Sequence, residues 1–480
     1  MVVWHRSEIP VQLLLVSPNQ LRDLLLGIDL TQKQRGLESA LREAIRTGRL
    51  GPGDTLPSTR GLAADLGIAR STVVAAYDQL VAEGYLLSRP GALTRVAAGQ
   101  WAPEEPAAGP TRPDYRLDLV PGEPDASRFP RSAWLRCTRA VLASAPNELF
   151  GYGSPAGLGD LRAELAKYLN RTRSTCATAE TIIVVAGIGS GLAQIARLLR
   201  RGGTTAVAVE EPGFPFHQAI LRREGLQLVP VPVDDGGIDV QALAATRLTA
   251  VLVTPAHQYP LGAVMSPERR TGLANWARRH RAWIIEDDYD GEFRYDRQPL
   301  GALQGIAPDR VVYLGTTSKT LGAGLRVGWV VVPPEMLGPL TDQRGRDNEV
   351  SQLTQATLAR FIDQGDLDRH IRRVRSLYRA RRDQLLNTVQ SVIDQPDVRG
   401  VSAGLHLTMV LPEGFNENSV VQRALHEHHL ALWGLRQHYL AGTAIDGLVL
   451  GFSRTATDFH DSITRLASIL RLRSAQRPES

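Results

Sequence analysis

Short apolar segments that alternate with helical ones constrain the fold of this chain more than any other feature. Six of them lie between residues 181 and 333: TIIVVAG, TAVAVEEPG, TAVLVTPAH, WIIEDDYD, VVYLGTTSK and VGWVVVP. Helical stretches such as GLAQIARLLR and PERRTGLANWARRH separate several of them. Because a strand that is apolar throughout is buried on both faces, this pattern predicts an α/β domain with a mainly parallel sheet covered by helices. We expect that domain to span residues 117–475, with strand-like LHLTMVLP and GLVLGFS near its end.

The length of 480 residues predicts two or three domains. Hydrophobic residues make up 43% and charged residues 22%, which is typical of a soluble globular protein, and no run of about 18 apolar residues predicts a membrane span. The two cysteines, Cys137 and Cys176, are too few for a disulfide framework or a cysteine-based metal site. We therefore expect a cytoplasmic protein without a bound metal.

The first part of the chain predicts a small helical module followed by a hairpin. Leu37, Leu41 and Ile45 recur at helical spacing, and GPGDTLP then breaks the pattern. Two further helices, about 58–66 and 70–84, are joined by a two- to three-residue turn, which is helix-turn-helix spacing. YLLSRPGALTRVA follows as a β-hairpin wing. We place this module at 30–98; from the spacing alone, an ordinary helical hairpin with solvated arginines remains an equal alternative.

A recognition helix presents its first residues to the major groove while its neighbours hold phosphates. The residues in these positions are Arg60, Arg70, Ser71, Thr72, Arg89 and Arg95. The stretch IRTGRLGPGDTLPSTRGLAADLGIARSTVVAAYDQLVAEGYL resembles the winged helix-turn-helix of GntR-type transcription regulators. The resemblance implies that Arg60, Arg70, Ser71 and Thr72 face a double-stranded DNA operator, with PGALT in place of the usual Gly-Ser-Gly-Thr wing turn. After this module, WAPEEPAAGPTRPDYR, within 99–116, has the composition of a semi-extended linker.

One of the three lysines of the chain, Lys319, follows the apolar run VVYLGTTSK. A lysine that is desolvated at the end of a strand has a lowered pKa and can form a Schiff base with an aldehyde. Arg326 then suits a phosphate, because its planar fork matches phosphate oxygens, and Thr316 and Ser318 add hydroxyl donors. The alternative for a lone lysine is a solvated surface charge.

Four other strand ends carry residues that fit the same chemistry. Asp287, in WIIEDDYDGEF, can hold a proton on a pyridine nitrogen, and Tyr289 can bond a ring hydroxyl. The glycine-rich turn of VVAGIGSGLAQIARLL opens a helix, whose free N–H groups suit a phosphate. Phe214 can stack on a ring, and His257 and Tyr259 follow the next strand. Taken singly, each has a plainer alternative: a solvated acidic loop, an ordinary βα turn, core packing or a satisfied core histidine.

From residue 117 onwards the chain resembles the fold-type I aminotransferases that bind pyridoxal 5'-phosphate, and the DDYD and SKTLGAGLRVG motifs carry this resemblance. It implies Lys319 as the Schiff-base lysine and Asp287 as the partner of the pyridine nitrogen. The other implied cofactor residues are Phe214 and Tyr289 at the ring, Gly187, Ile188, Thr316, Ser318 and Arg326 at the phosphate, and Tyr152, which reaches a neighbouring subunit's site. Many of those enzymes have asparagine at the position of Tyr259. Arg436 and Arg454 are candidates for holding a substrate carboxylate.

A GntR-type module joined to an aminotransferase-like domain is the arrangement of MocR/GabR-type transcription regulators. The segments HQYP and EDDYDGEF also resemble the corresponding segments of that group. This resemblance implies a cytoplasmic, head-to-tail, domain-swapped homodimer that senses an amine, an amino acid or pyridoxal phosphate itself through Lys319. Two alternatives remain open. One is an active aminotransferase with an appended DNA-binding domain, and the other is a DNA-binding protein whose large domain only dimerises.

Overall fold

The computed structural model describes residues 33–89, 91–98, 117–296, 300–344, 350–441, 444–454 and 458–474. The chain divides into two compact units, residues 1–113 and 114–480. The predicted linker, 99–116, and the first three residues of the predicted module at 30–98 lie outside the described residues.

The N-terminal unit has the predicted winged helix-turn-helix order. Its elements are α1 (Lys33–Arg46), α2 (Thr59–Leu66), α3 (Arg70–Ala82), β1 (Leu86–Leu87) and β2 (Arg95–Val96). The Ser58 side chain accepts a hydrogen bond from the N–H of Gly61 and so caps α2, and Gly67 ends the helix with a left-handed φ of 62°. Apolar residues of all three helices and both strands form one buried core, which includes Leu41, Leu62, Val73, Leu80 and Val96.

The C-terminal unit contains eleven helices and fourteen strands among its described residues. The helices are α4 (Arg131–Ser144), α5 (Gly159–Arg173), α6 (Ile188–Arg201), α7 (Pro215–Arg223), α8 (Val240–Ala244), α9 (Pro267–His280), α10 (Pro334–Arg344), α11 (Gln352–Asp363), α12 (Asp366–Val392), α13 (Glu417–His428) and α14 (Phe459–Ser474). The strands are β3 (Leu117–Asp118), β4 (Ile182–Val185), β5 (Ala206–Glu211), β6 (Gln227–Asp234), β7 (Gly237–Ile238), β8 (Ala250–Val253), β9 (Trp283–Asp288), β10 (Val311–Thr316), β11 (Gly328–Val331), β12 (Asp397–Arg399), β13 (His406–Val410), β14 (Leu430–Ala431), β15 (Trp433–Gly434) and β16 (Gly447–Gly451).

Eight strands form the large sheet, in the order β4-β11-β10-β9-β8-β5-β6-β7. Strands β10, β9, β8, β5 and β6 pair in parallel, and β4 runs the same way because β11 is antiparallel to both of its neighbours. The α/β fold with a mainly parallel sheet is therefore confirmed. The six apolar segments of the sequence are β4, β5, β8, β9, β10 and β11.

Successive residues of these strands point to opposite faces and enter two different cores. Ile183, Val185 and Leu314 pack with α6 on one face, whereas Ile182 and Val184 pack with α5 and α11 on the other. Both faces are covered, which explains why the central strands are apolar throughout rather than alternating.

A second, antiparallel sheet with the order β12-β13-β16-β15 follows the long helix α12. It packs with α12, α13 and α14 around a core that includes Tyr378, Leu407, Leu450 and Ile463. The strand-like segments LHLTMVLP and GLVLGFS of the sequence are its two central strands, β13 and β16.

Candidate functional site

The carboxyl ends of the parallel strands meet at one edge of the large sheet, and a cavity of about 340 Å³ opens there. Side chains that follow different strands therefore converge on one volume. Ten residues singled out from the sequence line this cavity: Ile188, Phe214, Tyr259, Asp287, Tyr289, Thr316, Ser318, Lys319, Arg326 and Arg454.

Lys319 follows β10 on a single π-helical turn, Ser318–Gly322, a local geometry that is frequent at functional sites. Its amine donates a hydrogen bond to the carbonyl oxygen of Gly122. Burial lowers the pKa of the Lys319 amine, and the nearby carboxylates of Asp290 and Asp287 oppose this effect. The lysine is thus more often neutral than a solvated one, and a neutral amine is the nucleophilic form.

The consecutive acids of the DDYD motif serve opposite faces of the sheet. Asp287 lines the cavity, whereas Asp288 forms a buried ion pair with Arg173, with 2.6 Å between Oδ2 and Nε. Asp288 Oδ2 also accepts a hydrogen bond of 2.6 Å from the Tyr313 hydroxyl. Only the first acid of the motif is therefore available to a ligand.

Asp287 carries an incompletely satisfied carboxylate. Its Oδ2 lies 3.3 Å from Nδ1 of His217, while its Oδ1 is buried without a hydrogen-bond partner among the described residues. Burial raises the pKa of Asp287 well above its usual range, and the charges of Asp288 and Asp290 raise it further. Burial also lowers the pKa of His217 to about 3, so that a neutral imidazole lies beside Asp287. A buried acceptor of this kind calls for a donor from a ligand.

Aromatic rings form one wall of the cavity. Phe214 meets Tyr259 edge to face, with ring centroids 5.0 Å apart at 73°, and Tyr259 meets Tyr289 at 6.0 Å and 87°. The Tyr289 hydroxyl donates to the carbonyl oxygen of His257 at 3.1 Å, and burial raises its pKa well above the usual value. Tyr289 is therefore a neutral phenol held by the chain, beside a surface that suits a planar ligand.

The same cavity is lined by a group of hydrogen-bond donors that suits a phosphate. Helix α6 begins at Ile188, directly after Gly187, whose φ of 91° is left-handed. A Cβ at Gly187 would lie 3.5 Å from Nη2 of Arg326, the atom that also donates to the carbonyl oxygen of Ala186 at 2.7 Å. The Thr316 and Ser318 hydroxyls are 2.9 Å apart on the same wall. The free N–H groups of a helix start, a guanidinium and two hydroxyls together bind a dianion well.

Four residues named from the sequence do not line the cavity. Gly187 lies next to it, and His257 stands behind Tyr289, with Nδ1 at 2.9 Å from Asp290 Oδ2. Tyr152 is 86% exposed, and its assignment to a neighbouring subunit stays a prediction. Arg436 makes two hydrogen bonds to Asp446, of 2.7 and 3.0 Å, away from the cavity.

Of the two carboxylate candidates, only Arg454 reaches the cavity, where it is paired with Asp118 and Glu123. Three polar residues that the sequence did not indicate also line the cavity: His217, Glu123 and His406. His217 lies one helical turn after Phe214 at the start of α7, and this i, i+3 spacing was the one signal that pointed to it.

The N-terminal unit presents exposed arginines around its recognition helix. Arg60, Arg70, Arg89 and Ser71 are exposed and Thr72 is half-buried. No carboxylate in the described part of the chain lies within ion-pair distance of Arg60, Arg70 or Arg89, and Arg70 Nε is 3.4 Å from the Thr59 hydroxyl. Helix α3 starts without a side-chain cap, which leaves the N–H groups of its first two residues, Arg70 and Ser71, available to phosphates.

Two contacts connect the recognition helix to the rest of the module. Arg42 of α1 binds Glu83 at the end of α3 with two N–O distances of 2.8 and 3.0 Å, and the Tyr77 hydroxyl donates to the carbonyl oxygen of Pro57 at 3.1 Å. The wing strands pair antiparallel, with Leu86 opposite Val96 and Leu87 opposite Arg95.

In the described ranges, no helix is long and apolar enough to span a membrane. Likewise, no group of three or more histidine, cysteine or acidic side chains in those ranges is arranged to hold a metal ion.

Comparison with known proteins assigns each of the two units to a known family. Residues 33–96 match the bacterial regulatory proteins of the gntR family, and residues 121–443 match aminotransferase class I and II. The chain is 35% identical over 425 residues to the pyridoxine biosynthesis transcriptional regulator PdxR of Corynebacterium glutamicum, covering 87% of this chain and 91% of that protein. It is also 35% identical over 446 residues to the probable rhizopine catabolism regulatory protein MocR of Rhizobium meliloti, covering 87% and 90%.

Among solved structures, an archaeal alanine:glyoxylate aminotransferase shares the fold with a TM-score of 0.69 and 24% identity, over 74% of this chain and 91% of that one. The two sequence matches extend through both units, and the fold match agrees with the second. This chain therefore belongs to the MocR-type family of HTH-type transcriptional regulators, in which a GntR DNA-binding domain precedes an aminotransferase class I and II domain.

Proposed function

We propose that this transcription regulator binds pyridoxal 5'-phosphate at Lys319 and adjusts its DNA binding to an amine, an amino acid or pyridoxal phosphate itself. The observation that carries the proposal is Oδ1 of Asp287, which is buried without a hydrogen-bond partner among the described residues and belongs to a residue that lines the same cavity as Lys319. A ligand with a protonated ring nitrogen and an aldehyde satisfies both groups.

The residues of the cavity fit each part of the cofactor. Lys319 would bind the aldehyde, Asp287 would hold the proton on the pyridine nitrogen, and Phe214 would cover the ring. The Tyr289 hydroxyl would form a hydrogen bond with the ring hydroxyl, and the phosphate would lie among the donors Arg326, Thr316, Ser318 and the first N–H groups of α6. When bound, pyridoxal phosphate supplies an aldehyde that can exchange its link to the lysine for a link to another amine.

Two features bear on the effector. The relative from Corynebacterium glutamicum is named for pyridoxine biosynthesis, which favours the cofactor itself, whereas the Rhizobium meliloti relative is named for rhizopine catabolism. Arg454 favours a ligand with a carboxylate, but this arginine is already paired with Asp118 and Glu123. A carboxylate ligand must therefore compete with two carboxylates of the chain. This competition reduces the advantage in affinity that an amino acid would have over a simple amine.

The proposal includes a cytoplasmic, head-to-tail homodimer, in which Tyr152 reaches the partner's cavity. Its exposed ring supports a contact outside its own chain. A dimer presents two recognition helices, so the spacing of two half-sites sets which operators fit. A ligand shifts this spacing only to the extent that it binds one arrangement more tightly than the other. Size-exclusion chromatography with light scattering, with and without ligand, measures the molar mass and so tests the dimer.

The first test uses the three-lysine composition of the chain. Bound cofactor linked to a lysine should absorb near 420 nm, a rough expectation for this link. Lys319→Ala should abolish that band while the fold survives. Lys167→Ala is the matched control, because Lys167 is exposed and paired with Glu164 away from the cavity. A band that persists in Lys319→Ala contradicts the assignment, and no band in the unmutated protein with added cofactor leaves only a scaffold role for the large unit.

The second test links the cavity to DNA. An operator is first selected from random duplexes, and its affinity is then measured by fluorescence anisotropy with and without candidate amines, amino acids and pyridoxal phosphate. We expect a ligand-dependent change in the affinity of the unmutated protein and of Lys167→Ala, and no change in Lys319→Ala. Equal ligand responses in all three proteins would contradict sensing through Lys319.

A second candidate function is aminotransferase activity, which the joint presence of Lys319, Asp287 and Arg454 in one cavity favours. Incubation with an amino acid and a keto-acid acceptor decides between the two. Product that accumulates over many turnovers supports the enzyme, whereas a spectral change without turnover supports the sensor.

A further inference from the structure

Helix α12 has an arginine-rich outer side that the cavity and the recognition helix do not explain. Its apolar residues, among them Leu367, Ile371, Val374 and Tyr378, are buried. On the opposite side, Arg369, Arg372, Arg373 and Ser376 follow one another at i, i+3, i+4 and i+7, and the three arginines are exposed. One side of a regular helix therefore holds the protein core while the other carries a row of positive charge.

The positive surface continues onto the start of α4. A shallow depression is lined by Arg131 and Arg136 from α4 and by Arg369 and Arg373 from α12. A second depression shares Arg369 and Arg373 with it and adds Arg372 and Ser376. We call this continuous surface the arginine face, and its members are Arg131, Arg136, Arg369, Arg372 and Arg373.

The chain neutralises little of this charge. Among the described residues, Asp366 is the one acid that lines either depression, and its carboxylate accepts hydrogen bonds from both Arg136, at 2.6 Å, and Arg369, at 2.7 Å. The next acid along the helix, Asp368, is bound by Arg171 at 2.8 Å. Five arginines against one aspartate leave four net positive charges on the face.

Three members have no carboxylate within ion-pair distance in the described residues: Arg131, Arg372 and Arg373. Arg131 reaches only backbone carbonyls, at 3.3 and 3.4 Å. Arg423 of α13, by contrast, pairs with Glu427 one turn away on its own helix. Like charges so close together repel, so the face favours an anionic partner.

We infer that the arginine face binds the phosphate backbone of duplex DNA outside the stretch that the recognition helix reads. This inference rests on the proposed function as a DNA-binding regulator. The guanidinium fork suits phosphate oxygens, and a row of them along a straight helix suits a regular polyanion. Because the other unit of the same chain binds the duplex, flanking DNA is present at a high effective concentration.

A lipid surface is a poorer match for this face. Membrane-bound basic helices interleave their charges with exposed large apolar side chains, which enter the acyl region. Among the described residues, the apolar lining of the two depressions is Phe129, Pro130 and Ala133, all half-buried; Leu135 of α4 is exposed but does not line them. Binding to anionic vesicles is therefore an outcome that would overturn the inference.

The experiment compares two DNA fragments and two double variants of the full-length protein. One fragment contains only the selected operator, and the other adds flanks of about two helical turns, roughly 20 base pairs, on each side. Arg372→Ala/Arg373→Ala removes two unpaired members of the face. Arg222→Ala/Arg223→Ala is the matched control, because these two consecutive, exposed arginines lie on α7, away from the face.

We expect the flanked fragment to bind the unmutated protein more tightly than the short one, and the face variant to lose this difference. Two lost phosphate contacts lower the slope of log affinity against log salt by about 2, so that a fourfold rise in salt weakens the unmutated protein roughly tenfold more than the variant. Binding to the short operator and the cofactor band should stay unchanged in the face variant.

The inference is overturned if the face variant and the control variant behave alike on both fragments, or if the face variant binds vesicles of anionic lipid less well than the control while its binding to flanked DNA is unaltered. Loss of binding to the short operator by Arg70→Ala is measured in parallel. That variant tests the DNA-binding function itself, so failure of the arginine face and failure of the proposed function give different results.

Discussion

Asp287→Asn is the substitution that separates cofactor binding from stability most sharply. In the cofactor-free protein, Asp287 is a buried carboxyl with one unpartnered oxygen and a neutral histidine beside the other. Its pKa is raised by burial, so it stabilises the fold when protonated and loses this contribution as the pH rises through its folded pKa. Asparagine keeps the shape without the charge, and we expect the cofactor-free variant to be at least as stable as the unmutated protein at pH 8.

The same substitution should weaken the binding of pyridoxal phosphate. A hydrogen bond to a charged group contributes about 1.5–3 kcal/mol, which corresponds to an affinity loss of about 12- to 150-fold. At a cofactor concentration of about 100 times the dissociation constant of the unmutated protein, ligand binding stabilises that protein by about 2.7 kcal/mol. At the same concentration, the variant should gain only about 0.3–1.3 kcal/mol.

Urea unfolding at pH 8, with and without pyridoxal phosphate, measures both effects in one assay. Asp160→Asn serves as the control, because Asp160 is an exposed carboxylate on α5 outside the cavity. The reasoning is refuted if Asp287→Asn keeps the full ligand-induced gain. It is equally refuted if the cofactor-free variant is less stable than the unmutated protein by more than about 1 kcal/mol.

Three further predictions concern other parts of the chain. Arg70→Ala should weaken operator binding by about 1–3 kcal/mol if it reads a base, or lower the salt slope by about 1 if it contacts a phosphate; an unchanged anisotropy titration would contradict both. Leu80→Ala, in the buried core of the N-terminal unit, should destabilise that unit by about 2–5 kcal/mol and leave the cofactor band intact, as followed by circular dichroism and absorbance. Burial raises the pKa of Glu210 from 4.5 to about 7, so its contribution is complete below pH 4.5 and lost by about pH 7. Glu210→Gln should remove a pH dependence on the order of 3 kcal/mol, and the same loss of stability between pH 5 and pH 8 in variant and unmutated protein would disprove the assignment.

The sequence predicted the sheet well where strands are buried on both faces, because such strands are apolar along their whole length. It missed β6, QLVPVPVD, since Pro230 and Pro232 argue against a strand. The structure tolerates them because only the two-residue β7 lies beyond β6 in the sheet, so the missing N–H groups interrupt no long ladder.

The site was predictable to the extent that its residues follow strands. Lys319 and Asp287 each stand at the end of an apolar run, and parallel strands bring such ends together. The division of labour between Asp287 and Asp288 was not predictable, because it depends on Arg173, which lies 115 residues away in sequence. For the same reason, the sequence could not show which of Arg436 and Arg454 lines the cavity. Both arginines follow strands of the second sheet, so their positions depend on how that sheet packs.

The most direct test of the account is to fix the cofactor covalently and locate it. Protein loaded with pyridoxal phosphate is reduced with borohydride, digested and analysed by mass spectrometry. The account predicts a pyridoxyl group on the peptide that contains Lys319 and none on the peptide that contains Lys167. A modification elsewhere, or no modification at saturating cofactor, would contradict it.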